Sequence, residues 1–340
     1  DVLRSQLNTY LRMLPNATLR TKCYWGHEGA SFCEQIENCG LPNPAEYGKH
    51  KPGEDMGNER NAWLEYQWDT ALEFCQMAID LEKFSGQKHP EYYPLIEQCI
   101  IFFDKHYRYL AKQRGVKDAD ENGKLILYPS SGCETFKMAY NPSRVIAALK
   151  TVSLNYFRQN GDSTFYKLYR SIPELPIKDG MIQPAIVWAR VQNVETTQLY
   201  PVYPWRMFGA WQANKTAAAK DSLQIARNTY LHDSHAIKMR STEGWKQDNI
   251  WAACLGLTEE ATKLNKEKFA KGPYRFPVFW QKGFDWSPDH NRGGAAMIGL
   301  QEMLLQESPD GDILICPSWP KNCNVEFKLH SSKGVIYGKQ

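Results

Sequence analysis

Apolar residues along this chain recur mostly at helical spacing. In the first 15 residues Leu3, Leu7, Tyr10, Leu11 and Leu14 fall three or four apart, which predicts an amphipathic helix that stops at Pro15. Residues 16–58 are dense in Gly, Pro and Asn and contain YWGHEGASFCEQIENCGLPNP, which reads as a long loop. A loop of that length in a compact domain is usually functional or packed over a site. His27, Glu28 and Glu34 within it are candidates to face a ligand, beside a surface or structural role for each. Helical spacing returns from Glu59 to about Phe84, where Trp63, Tyr66, Gln67, Thr70 and Phe74 share a face and Glu65 and Asp69 form an acidic strip. Further helices are expected over about 92–114, from Asn141-Pro142 through VIAALKTVSLNYF, and over 163–171, 205–230, 247–256, 259–270 and 292–307. Only the closing stretch from Val325, VEFKLHSSKGVIYGKQ, alternates like a strand.

Helices joined in turn by tight turns and by long, aromatic, polar loops suggest paired helices arranged in a ring, with the long loops on one rim. The expected fold is therefore all-α, an (α/α)6 toroid over residues 1–324, with a β segment opening at 325–340. Glu134, Glu195 and Asp289 would share the long-loop rim.

At 340 residues and 42% hydrophobic the chain can bury a large core as one big domain or two small ones. Its 41 basic and 38 acidic residues form no long run of either sign, which removes the electrostatic case for nucleic acid or an anionic membrane as partner. No apolar segment approaches the ~20 residues of a membrane span. The first residue is Asp, consistent with a mature or excised piece of a periplasmic or extracellular protein. The nine Cys form no CxxC pair, so neither a zinc ribbon nor a redox motif is supported. Cys33 with Cys39, and Cys316 with Cys323, are near enough to bridge, with burial as small apolar residues the equal alternative. His232 and His235 lack a third ligand in sequence, and neither metal nor cofactor is expected. Eleven Trp and eighteen Tyr, many beside polar residues, suit the faces of sugars or thick helical packing.

The densest stretch is Gly283–Gln306, GFDWSPDHNRGGAAMIGLQEMLLQ, a loop feeding a helix. Asp289 can cap that helix, Gly293-Gly294 allow close approach, and Met297, Leu300, Leu304 and Leu305 form its buried face. The order of several segments resembles the catalytic domain of glycoside hydrolase family 95, the inverting α-L-fucosidases and α-L-galactosidases, over roughly residues 58–335. The family's Asp-Gly-Asn-Phe-Gly-Gly and the helix after it are matched by Asp289-His290-Asn291-Arg292-Gly293-Gly294 and Glu302-Met303-Leu304-Leu305-Gln306, followed by Cys316-Pro317-Ser318-Trp319-Pro320. The acid segment is matched by Pro129-Ser130-Ser131-Gly132-Cys133-Glu134, and the Leu-Tyr-x-x-Tyr-Pro segment by Leu199-Tyr200-Pro201-Val202-Tyr203-Pro204.

That resemblance implies an inverting glycoside hydrolase of a carbohydrate substrate, exo-acting, with Glu134 as general acid and Asp289 as general base. Substrate contacts would come from Asn61, Trp63, Glu65, Gln67, Asn193, Glu195, Trp245, Trp286, His290 and Arg292, with Trp25 also a candidate ring. Two departures stand out. The family's water-holding Asn-x-Asn pair has no second Asn in Asn61-Ala62-Trp63-Leu64-Glu65-Tyr66-Gln67, and its substrate-binding His residues are replaced by Asn193, Glu195 and Gln198. The chemistry argues in parallel, because inversion needs one protonated and one ionised carboxyl about 6.5–9.5 Å apart. Glu134, flanked by Pro, Gly, Cys and Phe, suits the protonated role unless it pairs with Lys137, and Asp289 beside His290 and Arg292 suits the ionised one. The alternatives are a polysaccharide lyase, which would need Tyr200, Tyr203 and Arg206 to cluster, and a non-catalytic carbohydrate-binding protein.

Overall fold

The computed structural model describes residues 2–42, 50–272 and 290–340. The expected all-α ring is not what the chain forms: the fold is mixed and helix-rich, 49% helical and 12% strand with several small sheets. Its helices run from six to 24 residues, too unequal for a ring of matched hairpins. The chain instead divides into two compact units, Asp1–Pro176 with Gln183–Gln198, and Ile177–Ile182 with Leu199–Gln340.

The first unit opens with α1 (Val2–Trp25), which runs through Pro15 rather than stopping there. Proline forfeits one backbone bond, but Leu14 before it and Ala17, Thr21 and Trp25 beyond it are buried, and that burial outweighs the loss. The expected helix over 59–84 starts only at Thr70, as α2 (Thr70–Ser85). Before it the chain turns, with Tyr66 left-handed (φ 57°) and its N–H on Asn58 Oδ1 at 3.3 Å, so Trp63, Tyr66 and Gln67 do not share a helical face. Next come α3 (Tyr93–Gln113), the hairpin β1 (Ser130–Gly132) and β2 (Phe136–Ala139), then α4 (Ser143–Asn160) and α5 (Ser163–Ser171). The first turns of α4, from Ser143 to Lys150, are wholly buried, so this helix is the axis on which α2, α3 and α5 pack. The chain then contributes the hairpin β3 (Ile177–Lys178) and β4 (Met181–Ile182) to the second unit and returns as β5 (Arg190–Val191), which pairs antiparallel with β2.

In the second unit the expected helix over 205–230 splits into a 3-10 turn, Ala210–Asn214, and α6 (Ala217–His232), capped by Thr216 Oγ1. After α7 (Ser234–Met239), the core is α8 (Asp248–Cys254), buried along its whole length, with α9 (Thr258–Lys268) and α10 (His290–Leu304) against it. Gly299 makes that approach possible, since a Cβ there would lie 2.2 Å from Asn249 Nδ2. The last three residues of the helix expected over 292–307 leave it as β6 (Leu305–Glu307), paired with β7 (Ile313–Ile315). The chain closes with an antiparallel hairpin, β8 (Glu326–Ser331) and β9 (Gly334–Lys339). All nine cysteines are free thiols, and no helix among the described residues is long and apolar enough to cross a membrane.

Candidate functional site

The first unit gathers three glutamates, Glu34, Glu134 and Glu195, from three segments far apart in sequence. The earliest is the loop after α1, pinned by the buried Arg20, whose guanidinium donates to Ser31 Oγ (2.8 Å) and Glu59 Oε1 (3.0 Å). Phe32 and Cys33 are buried, so the half-buried Glu34 projects from a fixed backbone. Gln67, itself buried, donates from Nε2 to Glu34 Oε2 at 2.7 Å.

The second segment is the β1–β2 turn, Cys133-Glu134-Thr135. Asn193, in the third segment, donates from Nδ2 to Glu134 Oε2 at 2.8 Å. Two residues on, Glu195 accepts from the Thr135 hydroxyl while its own N–H donates back to Thr135 Oγ1 at 2.9 Å. Gln192 N–H to Thr135 O (3.0 Å) extends the β2–β5 pairing to this point, which fixes the third segment against the turn. Beneath them Arg144, on α4, holds Asp69 (2.7 Å) and Glu73 (3.1 Å) and donates to Cys133 Sγ.

Burial pushes the Glu34 carboxyl up to about 7; the Arg144 guanidinium pulls against this, and the negative charges of Glu134, Asp69 and Glu195 add to it. Glu34 therefore keeps its proton close to neutrality beside three other half-buried or buried carboxyls. Gln67 Oε1 and Thr197 Oγ1 are buried and have no hydrogen-bond partner among the described residues, and Thr197 Oγ1 lies by Gly132 at the turn. Such atoms are open to a polar ligand. Among the described residues no group of three or more His, Cys, Asp or Glu is placed to hold a metal ion.

Of the sequence candidates, Gln67, Glu134, Asn193 and Glu195 thus come together. Asn61, Trp63 and Glu65 lie on the adjoining turn, where Asn61 Oδ1 accepts from Trp63 N–H (2.8 Å) and Glu65 pairs with Arg190. Lys137 is buried and donates to the carbonyls of Trp63 (2.9 Å) and Glu65 (3.0 Å), with burial pushing its ammonium down to about 8. Asp289 and Trp286 lie outside the described residues. In the second unit, His290 is exposed, Trp245 is half-buried with Lys246 Nζ 5.7 Å from its ring, and Arg292 is buried with its guanidinium on the carbonyls of Thr242 and Glu267. Arg292 is committed to holding backbone there. The lyase cluster fares similarly, because Arg206 is paired through both guanidinium nitrogens to Glu302 and so already neutralised.

Glu34 is the residue that sequence reasoning underweighted, and its signal was the length of the loop that carries it. A further polar centre in the same unit joins His27 and His106. His27 Nδ1 contacts Glu28 O (2.7 Å), an acceptor, so Nδ1 carries the proton; His27 Nε2, 3.0 Å from His106 Nδ1, must then accept from it. His106 Nε2 is left as an unprotonated, buried atom inside a ring cage of Trp25, Trp68 and Phe102. Burial pushes both imidazoles down, His106 well below its ordinary range. Gly29, at φ 107°, lets this loop lie on α3, since a Cβ would meet Phe102 Cα at 2.3 Å.

No family model matches the chain, and no curated protein matches it.

Proposed function

We propose that the carboxyl cluster of the first unit is the acid–base site of a glycoside hydrolase. The observation that carries this reading is the gathering of Glu34, held by Gln67 Nε2 at 2.7 Å, with Glu134, held by Asn193 Nδ2 at 2.8 Å, in an interior whose burial raises the Glu34 carboxyl to about 7. Glycosidic cleavage needs this unequal pair, one carboxyl to protonate the leaving oxygen and another, ionised, to act at the anomeric carbon or on a water. Glu34 takes the proton-donor role in preference to Glu134. Glu134, whose Oε2 accepts from the Asn193 amide at 2.8 Å, is assigned the partner role. The buried oxygens of Gln67 and Thr197 supply contacts for sugar hydroxyls. The ordered segments that resemble family 95 support the same reaction class, and the ring fold of that family forms no part of the proposal.

The test assays Glu34→Gln, Glu134→Gln and Asp289→Asn on aryl glycosides and on oligosaccharides, with the anomer of the released sugar followed by NMR. Loss of a general acid or base costs ~10²–10⁴ in rate, so Glu34→Gln and Glu134→Gln should both fall in that range. Glu34→Gln should recover on substrates whose leaving group needs little protonation. Full activity in Glu34→Gln would end the reading. An inactive Asp289→Asn with inversion would assign the base to Asp289 and leave Glu134 as the electrostatic partner.

A further inference from the structure

The edge of the small sheet next to the carboxyl cluster is unusually rich in exposed apolar side chains. Trp188 is 38% exposed and Trp63 44%, and Ile186, Val187 and Val191 are also exposed. The backbone at Trp63 and the ring of Trp188 are both held from behind. The buried Lys137 donates to Trp63 O (2.9 Å) and accepts at its own carbonyl from Ala189 N–H (3.0 Å), so one residue fixes the backbone at Trp63 and beside Trp188. The Trp188 ring stands edge-on to Phe136, centroids 5.2 Å apart, and Gln192 Nε2 ties the strand to Ala62 O at 2.6 Å. From Trp188 the chain runs through β5 to Asn193, the residue that holds Glu134. Five residues of extended chain span at most about 17 Å, so the strip leads from the rings into the cluster within the reach of a short oligosaccharide.

We infer that Trp63 and Trp188 form a stacking platform for a β-1,4-linked pyranose chain, whose flat apolar faces lie on the rings while one end enters the carboxyl cluster. This inference rests on the glycoside-hydrolase reading of that cluster. Exposed aromatic rings on an anchored backbone, beside amide and guanidinium groups, suit sugar, which presents C–H faces flanked by hydroxyls. An added peptide strand fits less well. β5 pairs over only Arg190 and Val191, with a separate bridge at Val187, too short and interrupted a ladder to template another strand.

The experiment is calorimetric titration of the full chain with cellohexaose, xylohexaose and mannohexaose. The unaltered protein should bind at least one of them. Trp63→Ala and Trp188→Ala should each weaken that binding by about tenfold or more, and Trp63→Phe, which keeps a ring, should restore most of it; circular dichroism checks that each variant is folded. No binding to any of the three hexaoses, or unchanged affinity in both alanine variants, overturns the platform. The two readings fail separately. Trp-dependent hexaose binding with a fully active Glu34→Gln keeps the platform and removes the acid, whereas an inactive Glu34→Gln with Trp-independent binding does the reverse.

Discussion

Arg144 is the counter-charge that lets so many carboxyls share one interior. It holds Asp69, which is 1% exposed, and Glu73, whose carboxyl burial pushes up and Arg144 pulls down. Replacing it leaves uncompensated buried charge, so Arg144→Met should cost about 3–5 kcal/mol in urea denaturation at neutral pH. The loss should shrink in acid, where the carboxyls can take protons; a loss below ~1 kcal/mol at pH 7 would show that the pairs matter little. Residue roles of this kind were only partly legible in the sequence. Glu134, Asn193 and Glu195 stand out because they lie in segments whose order along the chain resembles family 95. Glu34 does not, because its raised pKa comes first from burial and then from Glu134, Asp69 and Glu195, which three separate segments bring to it, and no sequence window contains either cause.

At the scale of elements, the long amphipathic stretches were readable and their ends were not. α3 and α5 lie within a residue of the spans that spacing indicates. α1 passes Pro15 because tertiary burial outweighs one lost bond, and residues 59–69 leave the helix because the buried Glu59 and Gln67 find partners in Arg20 and Glu34 that a helix would deny them. Helical period alone carries neither fact. The contact between α8 and α10 is a sharper case, since it depends on one absent side chain. Asn249 Nδ2 donates to Ala295 O (2.8 Å) and to Asn265 Oδ1 (3.1 Å) across Gly299. Gly299→Ala would place a methyl 2.2 Å from Asn249 Nδ2 and 2.6 Å from Asn265 Oδ1. The expected result is a loss of about 1–3 kcal/mol from overpacking, even though Ala favours a helix. A thermal midpoint at or above that of the parent would show that α8 and α10 yield freely.

For the molecule as a whole, helical richness was legible in the sequence and the ring was not, because alternating short and long connections fix neither how helices pair nor how many units they make. The first unit nevertheless combines two proton-binding centres of opposite sign, and together they set a pH window. The carboxyl of Glu34 is raised from the ordinary 4.5 to about 7, so the folded chain holds a proton that the unfolded chain releases. Its contribution to stability is complete below pH 4.5 and is lost as pH rises through 7. His27 and His106 are depressed from the ordinary 6.5, so above 6.5 both folded and unfolded chains leave them neutral. Below 6.5 the unfolded chain takes protons that the fold refuses, and stability is lost as pH falls. Activity that depends on protonated Glu34 should fall about tenfold per pH unit above 7, while the two histidines should make stability decline as pH falls below 6.5. His106→Phe removes the deeper imidazole and should flatten the acid loss of stability in urea titrations between pH 6.5 and 4.5, leaving the alkaline limb of activity unmoved. Glu34→Gln should erase that alkaline limb in the residual activity and leave the histidine-linked acid loss in place. If His106→Phe kept the full acid dependence, the imidazole pair would not be its source, and the loss would have to be traced to the carboxylates that Arg144 holds.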